Sequence, residues 1–291
     1  MNAATLFDRP AFVPPLGDLA AWRGGNVIGL SGGGGVLGGL LRERLQQRDF
    51  RVENYAGDIN DTATLSAWFG GRTLSHFFHF AALVPVTEVE ADPLLAYQTN
   101  VMGAFNICRE LLRTQPDCWF FHCSSSHVYQ PTGEPRPLAE EAPTLPPTFY
   151  GDTKLAAERV VTALFGKLGR PYCIGRVFSF THPSQSPPYL VPSLQERIAR
   201  LGDGDTLEVQ NPGSIRDIQD AEHVIDAILN LAIRRVTGIV NIGTGIGLSV
   251  REIALQVARA MGRDIRVSGI DGGASGALIA DTTRLKALLS L

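Results

Sequence analysis

Two polar side chains one helical turn apart are the residues of this chain best suited to proton chemistry. Tyr150-Gly151-Asp152-Thr153-Lys154 places a phenol and an ammonium at positions i and i+4, which lie on one face of an α-helix. A phenol has a pKa of about 10 in water, and a nearby cation lowers it. Tyr150 can then exchange a proton with a carbonyl or alcohol while a hydride moves. The alternative interpretation is a surface pair without a catalytic role.

Three consecutive hydroxyls follow a predicted strand. The segment Cys123-Ser124-Ser125-Ser126-His127-Val128-Tyr129 comes at the end of a strand expected over 118–124. Functional groups in parallel sheets collect beyond the carboxyl ends of strands. The hydroxyls can therefore hydrogen-bond a substrate oxygen. As an alternative, they cap the following turn.

A glycine run marks a candidate dinucleotide site. Residues 31–39 read Ser-Gly-Gly-Gly-Gly-Val-Leu-Gly-Gly, between a predicted strand and a predicted helix. In that setting, glycines let the backbone approach a pyrophosphate at the helix N-terminus. Gly33, Gly35 and Gly38 satisfy one register of the motif, and Gly32, Gly35 and Gly38 satisfy another, so the motif alone does not choose. A flexible glycine-rich turn is the alternative.

The second predicted strand leaves the choice between NAD and NADP open. Its only acid is Glu53, the candidate for the adenosine ribose diol, although strand alternation need not point it there. Arg48 and Arg51 lie nearby in sequence and can neutralise a 2′-phosphate instead. Asp58 is expected either near the adenine edge or as a turn residue before the next helix.

Strand and helix patterns alternate along the first two thirds of the chain. Strands are expected at 27–30, 76–82, 118–124 and 171–177, and helices at 36–45, 94–112 and 150–165. Apolar strands alternating with amphipathic helices predict a doubly wound parallel sheet covered on both faces. We expect residues 1–25 to form an N-terminal extension and residues 26–178 a dinucleotide-binding domain with the catalytic residues. Residues 179–291 are expected to form a mixed α/β substrate-binding lobe, with some segments returning to the main sheet.

Composition excludes several classes of partner. The 26 Lys and Arg against 29 Asp and Glu give a net charge of −3, which argues against nucleic-acid binding. No signal peptide and no membrane span is expected, and four cysteines outside any CxxC pair favour a cytoplasmic protein. No metal site is expected, because His76 and His79 lie three apart on a predicted strand and point to opposite faces.

In their order along the chain, these segments resemble the extended short-chain dehydrogenase/reductase family of nucleotide-sugar epimerases, dehydratases and 4-ketoreductases. The resemblance covers about residues 26–285. Other segments that carry it are His79-Phe80-Ala81-Ala82, Thr99-Asn100-Val101 with Gly103, Arg176-Val177-Phe178, Arg216-Asp217-Ile218 with Asp220, and Asn241-Ile242-Gly243. It implies an α/β fold, a Rossmann-type doubly wound parallel sheet with a smaller C-terminal substrate lobe. It also implies a homodimer formed through helices 94–112 and 150–165.

The resemblance assigns roles to particular positions. It selects Gly32, Gly35 and Gly38 as the glycine register, and Ser125, Tyr150 and Lys154 as the catalytic trio. Residues implied to hold NAD(P)(H) are Gly32, Gly35, Val36, Leu37, Gly38, Asp58, Ile59, Ala81, Ala82, Asn100, Tyr150 and Lys154. Residues implied to bind a nucleotide-diphosphate sugar are Ser126, His127, Ser179, Leu190, Val191, Ser193 and Arg216. Of these, Arg216 is expected at the diphosphate, and the residues of the 190–193 segment at the nucleotide base.

Departures from the family pattern bear on the reaction. Sugar 4,6-dehydratases carry an Asp-Glu pair directly after the active hydroxyl, where this chain has Ser126 and His127, so dehydration is not expected. The short span between Asp49 and Asp58 is similar to that of 4-keto-6-deoxysugar reductases. The favoured function is therefore NAD(P)-dependent reduction of a 4-keto sugar on a nucleotide. A C4-epimerase that retains its NAD is the alternative, and a catalytically inactive dinucleotide-binding regulatory protein is a third possibility.

Overall fold

A six-stranded parallel sheet forms the centre of the protein in this computed structural model, which describes residues 6–7, 27–270 and 276–289. Its strands are β1 (Val27–Ser31), β2 (Arg51–Tyr55), β3 (Leu74–His79), β4 (Trp119–Ser125), β6 (Tyr172–Val177) and β10 (Gly238–Ile242). They lie in the order β10-β6-β4-β3-β1-β2. The doubly wound parallel sheet predicted from the sequence is therefore confirmed.

Helices cover both faces of this sheet. One face packs against α1 (Val36–Gln46), α8 (Ala221–Ile233) and α10 (Thr283–Leu288). The other packs against α2 (Thr62–Phe69), α5 (Gly103–Thr114) and α6 (Phe149–Val161). Arg44 on α1 forms ion pairs with Glu222 and Asp226 on α8, which fix these two helices side by side. Both faces are thus buried, as strands without a polar side require.

The helix predicted over 94–112 is divided by a π-helical turn. Asp92 caps α4 (Pro93–Tyr97), because its Oδ1 accepts a hydrogen bond from Leu95 N at 2.9 Å. The π-helical turn spans Gln98–Met102 and is followed by α5. Its wider winding turns Asn100 into the protein, where the side chain is buried. The helix predicted over 150–165 likewise ends as a π-helical turn at Thr162–Gly166.

The strand predicted over 76–82 begins and ends earlier. β3 ends at His79, and Phe80 N still donates to Ser31 O at 3.0 Å before the chain leaves the sheet. Residues 80–82 then pass directly over Gly32, where an added Cβ would lie 2.4 Å from Ala81 N. The predicted strand therefore included three residues that form the wall of the glycine loop.

The C-terminal part builds a second lobe and also completes the main sheet. Its elements are β7 (Ser179–Thr181), α7 (Leu190–Ile198), β8 (Thr206–Gln210), β9 (Ile215–Asp220), β11 (Gly247–Ser249), α9 (Val250–Ala260), β12 (Arg266–Ile270) and β13 (Ala277–Ala280). Strand β13 pairs with β9 and with the short β5 (Pro137–Leu138), while β12 pairs with β8. From the second lobe the chain returns to the main sheet as β10. Apart from Leu6 and Phe7, the expected N-terminal extension lies outside the described residues, and Phe7 packs in the lobe core with Val191 and Leu194.

Candidate active site

Ser125 ends β4 at the carboxyl edge of the sheet. It is the N-cap of a single 3-10 turn, Ser126–Val128, and its Oγ accepts a hydrogen bond from His127 N at 3.2 Å. The same Oγ lies 3.1 Å from His127 Nδ1. Capping of the following turn is therefore confirmed for Ser125, whereas its contact with a substrate oxygen stays a prediction.

Helix α6 brings Tyr150 to this serine. Thr148 caps the helix, with its Oγ1 accepting from Gly151 N at 3.3 Å. Gly151 allows the close approach, since an added Cβ would lie 2.3 Å from His127 O. The Tyr150 ring lies edge-on to the His127 ring with centroids 5.5 Å apart, which places Tyr150 beside the turn that Ser125 caps. Tyr150 and Lys154 are both buried.

The electrostatic balance on Tyr150 is opposite to the expected one. Burial raises its pKa, and the neighbouring Ser125 hydroxyl opposes this rise. Lys154 is not among the groups that shift the Tyr150 pKa, so the structure does not support the expectation that Lys154 lowers it. Burial lowers the pKa of Lys154, while the nearby Cys123 and Glu158 favour its charged form.

The glycine loop has the form that a pyrophosphate requires. Gly32 has a positive φ of 78°, and a Cβ on Gly38 would lie 2.2 Å from Gly32 O. Gly35 N donates to Gly32 O at 3.0 Å, which closes the turn before α1. Gly35 is also the N-cap of α1, without a side-chain cap and without an acidic residue in the first turn. The backbone N–H groups at this helix start, in Val36 and Leu37, therefore suit a bound anion.

The end of β2 differs from the sequence-based expectation. Register pairs Val27 with Arg51 and Leu30 with Asn54, so Arg51 lies at the opposite end of the strand from the glycine loop. Arg48 precedes the same distant end, and its Nη1 donates to Arg44 O. These arginines are therefore not placed to neutralise a 2′-phosphate, and the expectation that they do so is wrong.

Glu53 is engaged elsewhere as well. Its carboxylate pairs with Arg51 at 2.6 Å and with Arg72 at 3.3 Å, and Arg51 is the main cause of its lowered pKa. The side chain at the glycine loop is instead Asn54, whose Oδ1 accepts from Gly33 N at 3.2 Å. Strand alternation is the signal that finds it, because adjacent residues on a strand point to opposite faces.

Other residues expected to hold the coenzyme have structural contacts. Asp58 is exposed, and its Oδ1 accepts from Asn60 N at 2.8 Å, as a turn residue does. Ile59 is buried against Gly103. Asn100 bonds both backbone groups of Leu83, at 2.7 and 2.9 Å, and donates to Thr153 Oγ1 at 3.0 Å. Asn100 therefore ties the segment after Ala81 and Ala82 to α6, and its amide is occupied by these bonds.

Arg216 on β9 lies within electrostatic reach of His127. Arg216 on β9 is half-buried, donates through Nη1 to Ile215 O at 2.9 Å, and interacts electrostatically with His127. Ser179 on β7 is half-buried, and Ser126 is buried directly after Ser125. On α7, Leu190 and Ser193 are half-buried, whereas Val191 is 3% exposed in the lobe core. A direct contact of Val191 with a nucleotide base is therefore not supported by its placement.

A buried polar network that the site prediction omitted lies beneath the candidate catalytic residues. Glu158, one turn after Lys154, pairs with Arg176 at 2.7 Å and accepts from Ser124 Oγ at 2.5 Å. Arg176 also donates to Tyr129 at 2.9 Å, and Tyr129 donates to Asn241 at 2.6 Å. Five charged or polar groups thus connect α6, β4, β6 and β10. Arg176 and Asn241 belong to the segments that carry the family resemblance. The resemblance is therefore the signal that could have found this network.

Histidines and cysteines in the core have no metal-binding arrangement. Among residues 6–7, 27–270 and 276–289, no three His, Cys, Asp or Glu side chains are grouped so that they could hold a metal ion. Burial lowers the pKa of His76 and His79 to about 3. All four cysteines are free thiols. Within the described part of the chain, no helix combines the length and apolar character of a membrane span.

Known proteins are similar to this chain in sequence and in fold. Residues 38–283 match the family model described as GDP-mannose 4,6 dehydratase. A UDP-glucose 4-epimerase of Lactobacillus helveticus is 26% identical over 276 residues, covering 87% of this chain and 82% of its own length. A GDP-6-deoxy-D-mannose reductase of Pseudomonas aeruginosa is 29% identical over 180 residues, covering 60% of this chain and 59% of its own length.

A solved structure extends the likeness to the whole fold. The structure of RMD from Pseudomonas aeruginosa complexed with NADPH superposes with a TM-score of 0.82, covering 91% of this chain and 92% of that one at 22% identity. The match to the family model begins within α1 at Gly38, after Gly32 and Gly35, and includes the Tyr150–Lys154 helix. The chain therefore belongs to the GDP-mannose 4,6 dehydratase family, an NAD(P)-dependent branch of the extended short-chain dehydrogenases/reductases.

Proposed function

We propose that this protein reduces a 4-keto group on a nucleotide-diphosphate sugar. The observation that carries the proposal is the placement of Tyr150 beside the turn that Ser125 caps at the carboxyl edge of the sheet. In the sequence, Ser125 is followed by Ser126 and His127 rather than by two acids. A dehydration requires an acid and a base placed to remove water, whereas reduction of a carbonyl requires one proton donor beside a hydride donor.

Each residue of the candidate site has a separate role in the proposed reduction. When bound, the nicotinamide coenzyme supplies the hydride. Tyr150 donates its hydroxyl proton to the carbonyl oxygen, and Ser125 hydrogen-bonds the same oxygen and orients it. Lys154 supplies positive charge on the same helix face as Tyr150. Arg216 offers a guanidinium to the substrate diphosphate, a pairing in which two parallel hydrogen bonds can form.

The residue at the ribose end of the proposed coenzyme site favours a coenzyme that is released and replaced in every turnover. Asn54 presents a neutral amide at the position where an acid would bind the ribose diol through a charge-assisted bond. A neutral amide holds the diol less tightly, and it does not repel a 2′-phosphate. A reductase releases its coenzyme in every turnover, whereas an epimerase keeps it, so this feature supports reduction and use of both NADH and NADPH.

A nucleotide-sugar C4-epimerase is the second candidate. It is favoured by the similar proteins, since the UDP-glucose 4-epimerase of Lactobacillus helveticus matches over more of the chain than the reductase does. The same three residues would oxidise and re-reduce one carbon. An inactive dinucleotide-binding protein is less well supported, because it has no need for Tyr150 beside Ser125 and Lys154.

A direct assay separates these functions. The purified protein is mixed with NADH or NADPH and a panel of 4-keto-6-deoxy sugars linked to UDP, GDP or dTDP. We expect one coenzyme to be oxidised for each sugar reduced, measured as the loss of the absorbance of the reduced coenzyme. The product should be two mass units heavier than the substrate. An epimerase instead purifies with bound NAD and interconverts UDP-sugars without added coenzyme. Coenzyme binding with neither reaction would support the inactive protein.

We also propose a homodimer formed through α4 and α5. Leu94, Leu95, Tyr97, Met102 and Phe105 are exposed on this surface, with Leu94 at 68%. Exposed apolar side chains grouped on one face are typical of an association surface. The free state of all four cysteines supports the proposal that the protein works in a reducing compartment such as the cytoplasm.

A further inference from the structure

Phe7 belongs to the core of the second lobe, although it precedes β1 in the chain. Its side chain is 5% exposed, and the half-buried Leu6 packs against the same core. The other buried members of this core lie at or after Val191, most of them in α7, β8, β9 and α9. Both N-terminal residues lie outside residues 38–283, the part of the chain that matches the family model. The second lobe therefore takes part of its core from a segment that the family model does not match.

Phe7 has the bulkiest side chain of this core. Among the described residues, the other buried members of the core are all aliphatic, and two of them are Ala254 and Ala258, one turn apart on α9. Small residues at that spacing lie on the same helix face and leave space for a large neighbour. Because protein interiors are densely packed, removal of the Phe7 ring leaves a void that the neighbouring side chains fill only by moving.

Two elements of this core also carry residues proposed to bind the substrate. Helix α7 contributes Val191 to the core and bears Ser193, which is half-buried. Strand β9 contributes Ile218 and bears Arg216, the residue proposed at the diphosphate. A change in the packing of this core therefore moves α7 and β9, and with them the proposed contacts to the nucleotide and its diphosphate.

On the basis of the proposed function, we propose that Phe7 is a positioning residue for the nucleotide part of the substrate. It acts through α7 and β9, whose spacing it fixes, rather than by contact with the substrate. Residues of the candidate catalytic and coenzyme sites belong to other cores, since Tyr150 packs with Val89 and Ala96, and Leu37 of α1 packs with the main sheet. Loss of the Phe7 ring should therefore weaken nucleotide binding and leave coenzyme binding and the chemical step nearly unchanged.

Binding measurements on full-length variants test this role. The wild type, Phe7→Ala and Phe7→Leu are titrated calorimetrically with UDP, GDP, dTDP and NADH. We expect Phe7→Ala to weaken binding of the nucleoside diphosphate that the wild type binds at least ~10-fold, with NADH affinity within about twofold. Phe7→Leu keeps a large apolar side chain and should retain most of the affinity. In the reductase assay, KM for the nucleotide sugar should rise with the nucleotide dissociation constant, while kcat stays within about twofold.

Phe50→Ala is the matched control. Phe50 is 7% exposed in the core that contains Leu41 and Leu45 of α1, so this substitution removes the same atoms from a different core. Both alanine variants should be less stable to urea, but only Phe7→Ala should lose nucleotide affinity.

The reciprocal effect is measured on the wild-type protein. Bound UDP, GDP or dTDP should slow hydrogen exchange in the peptide that contains Leu6 and Phe7, because coupling between two sites acts in both directions. This measurement decides the proposal even if Phe7→Ala does not fold.

Several results would overturn the positioning role. Unchanged nucleotide affinity in Phe7→Ala, an equal loss of it in Phe50→Ala, or unchanged hydrogen exchange with nucleotide bound would each show that Phe7 only stabilises the lobe. A wild type that binds none of the three diphosphates would overturn this proposal together with the proposed substrate class. A wild type that binds one of them but reduces no 4-keto sugar would overturn the proposed reduction alone.

Discussion

Glu158 and Arg176 form a 2.7 Å ion pair in which both side chains are only 4% exposed. The pair joins α6, which carries Tyr150 and Lys154, to the strand beside β4. Glu158 also accepts a hydrogen bond from Ser124, the neighbour of Ser125. The relative positions of the helix residues and the serine therefore depend on this buried carboxylate.

Glu158→Gln should destabilise the protein, because it leaves the Arg176 guanidinium buried without its counter-charge. The expected loss in the free energy of unfolding is about 3–5 kcal/mol, measured by urea denaturation. The double variant Glu158→Gln with Arg176→Met should recover part of this loss, since neither member then remains charged. A single variant as stable as the wild type would show that the pair contributes little to holding these elements together.

Tyr150→Phe should lower turnover by at least ~10², the usual contribution of general acid catalysis. Coenzyme affinity should change little, because only one hydroxyl is removed. Steady-state kinetics and calorimetric titration with the coenzyme measure the two quantities. Lys154→Ala is the contrasting variant and should weaken both, since this residue is expected at the nicotinamide ribose as well. Unchanged turnover in Tyr150→Phe would remove the proposed acid.

Asn54→Asp should make the coenzyme site discriminate against the 2′-phosphate of NADPH. In the wild type we expect the dissociation constants of NADH and NADPH to lie within about tenfold, a difference of about 1.4 kcal/mol or less. The new carboxylate should weaken NADPH binding at least ~10-fold by charge repulsion and strengthen NADH binding a few-fold through charge-assisted hydrogen bonds. Calorimetric titration measures both. Arg51→Ala is the matched control and should alter neither constant, because Arg51 lies about 10 Å away along the strand.

Acidification from pH 7 to 5 should destabilise the protein through its buried histidines. The unfolded chain binds a proton on each histidine near pH 6.5, whereas the folded pKa is about 3 for His76 and His79 and lies well below 6.5 for His122. Their stabilisation is complete above pH 6.5 and declines as the pH falls toward the folded values, by up to about 1.4 kcal/mol per pH unit for each group. Asp220, with a pKa of about 6, opposes this trend below pH 6.

His122→Phe tests this pH dependence. Neither ring nitrogen of His122 has a hydrogen-bond partner among the residues that the structure describes, so an apolar ring should be tolerated at pH 7. Urea denaturation across pH 5 to 7 should show a shallower dependence in the variant than in the wild type. Equal slopes would mean that His122 is protonated as readily in the folded protein as in the unfolded chain.

Leu94→Arg should convert the expected dimer into a monomer, because it places a charge on the exposed apolar surface of α4. Light scattering at micromolar concentration measures the mass, and circular dichroism checks the fold. Ile270→Arg, at another exposed apolar residue, is the control and should remain dimeric. A wild-type protein that is monomeric under these conditions would exclude the dimer.

The sequence alone determined the doubly wound sheet, the glycine loop and the residue types of the candidate catalytic trio. These features depend on local patterns, namely apolar strands, helical spacing and glycines that the backbone geometry requires. The Tyr150–Lys154 spacing placed both side chains on one helix face, and the hydroxyls at the end of β4 placed Ser125 at the carboxyl edge. Such properties follow from neighbours along the chain, so they could be predicted.

Only the tertiary structure decided which side chains meet. Strand register placed Asn54 at the glycine loop and carried Arg51 to the opposite end of β2, although both belong to the same five-residue strand. Packing raised the pKa of Tyr150 by burying it, paired Glu158 with Arg176, and brought Arg216 from the second lobe toward His127. These contacts join residues from separate elements, and their energies depend on distance and burial, which the order of residues along a chain does not specify.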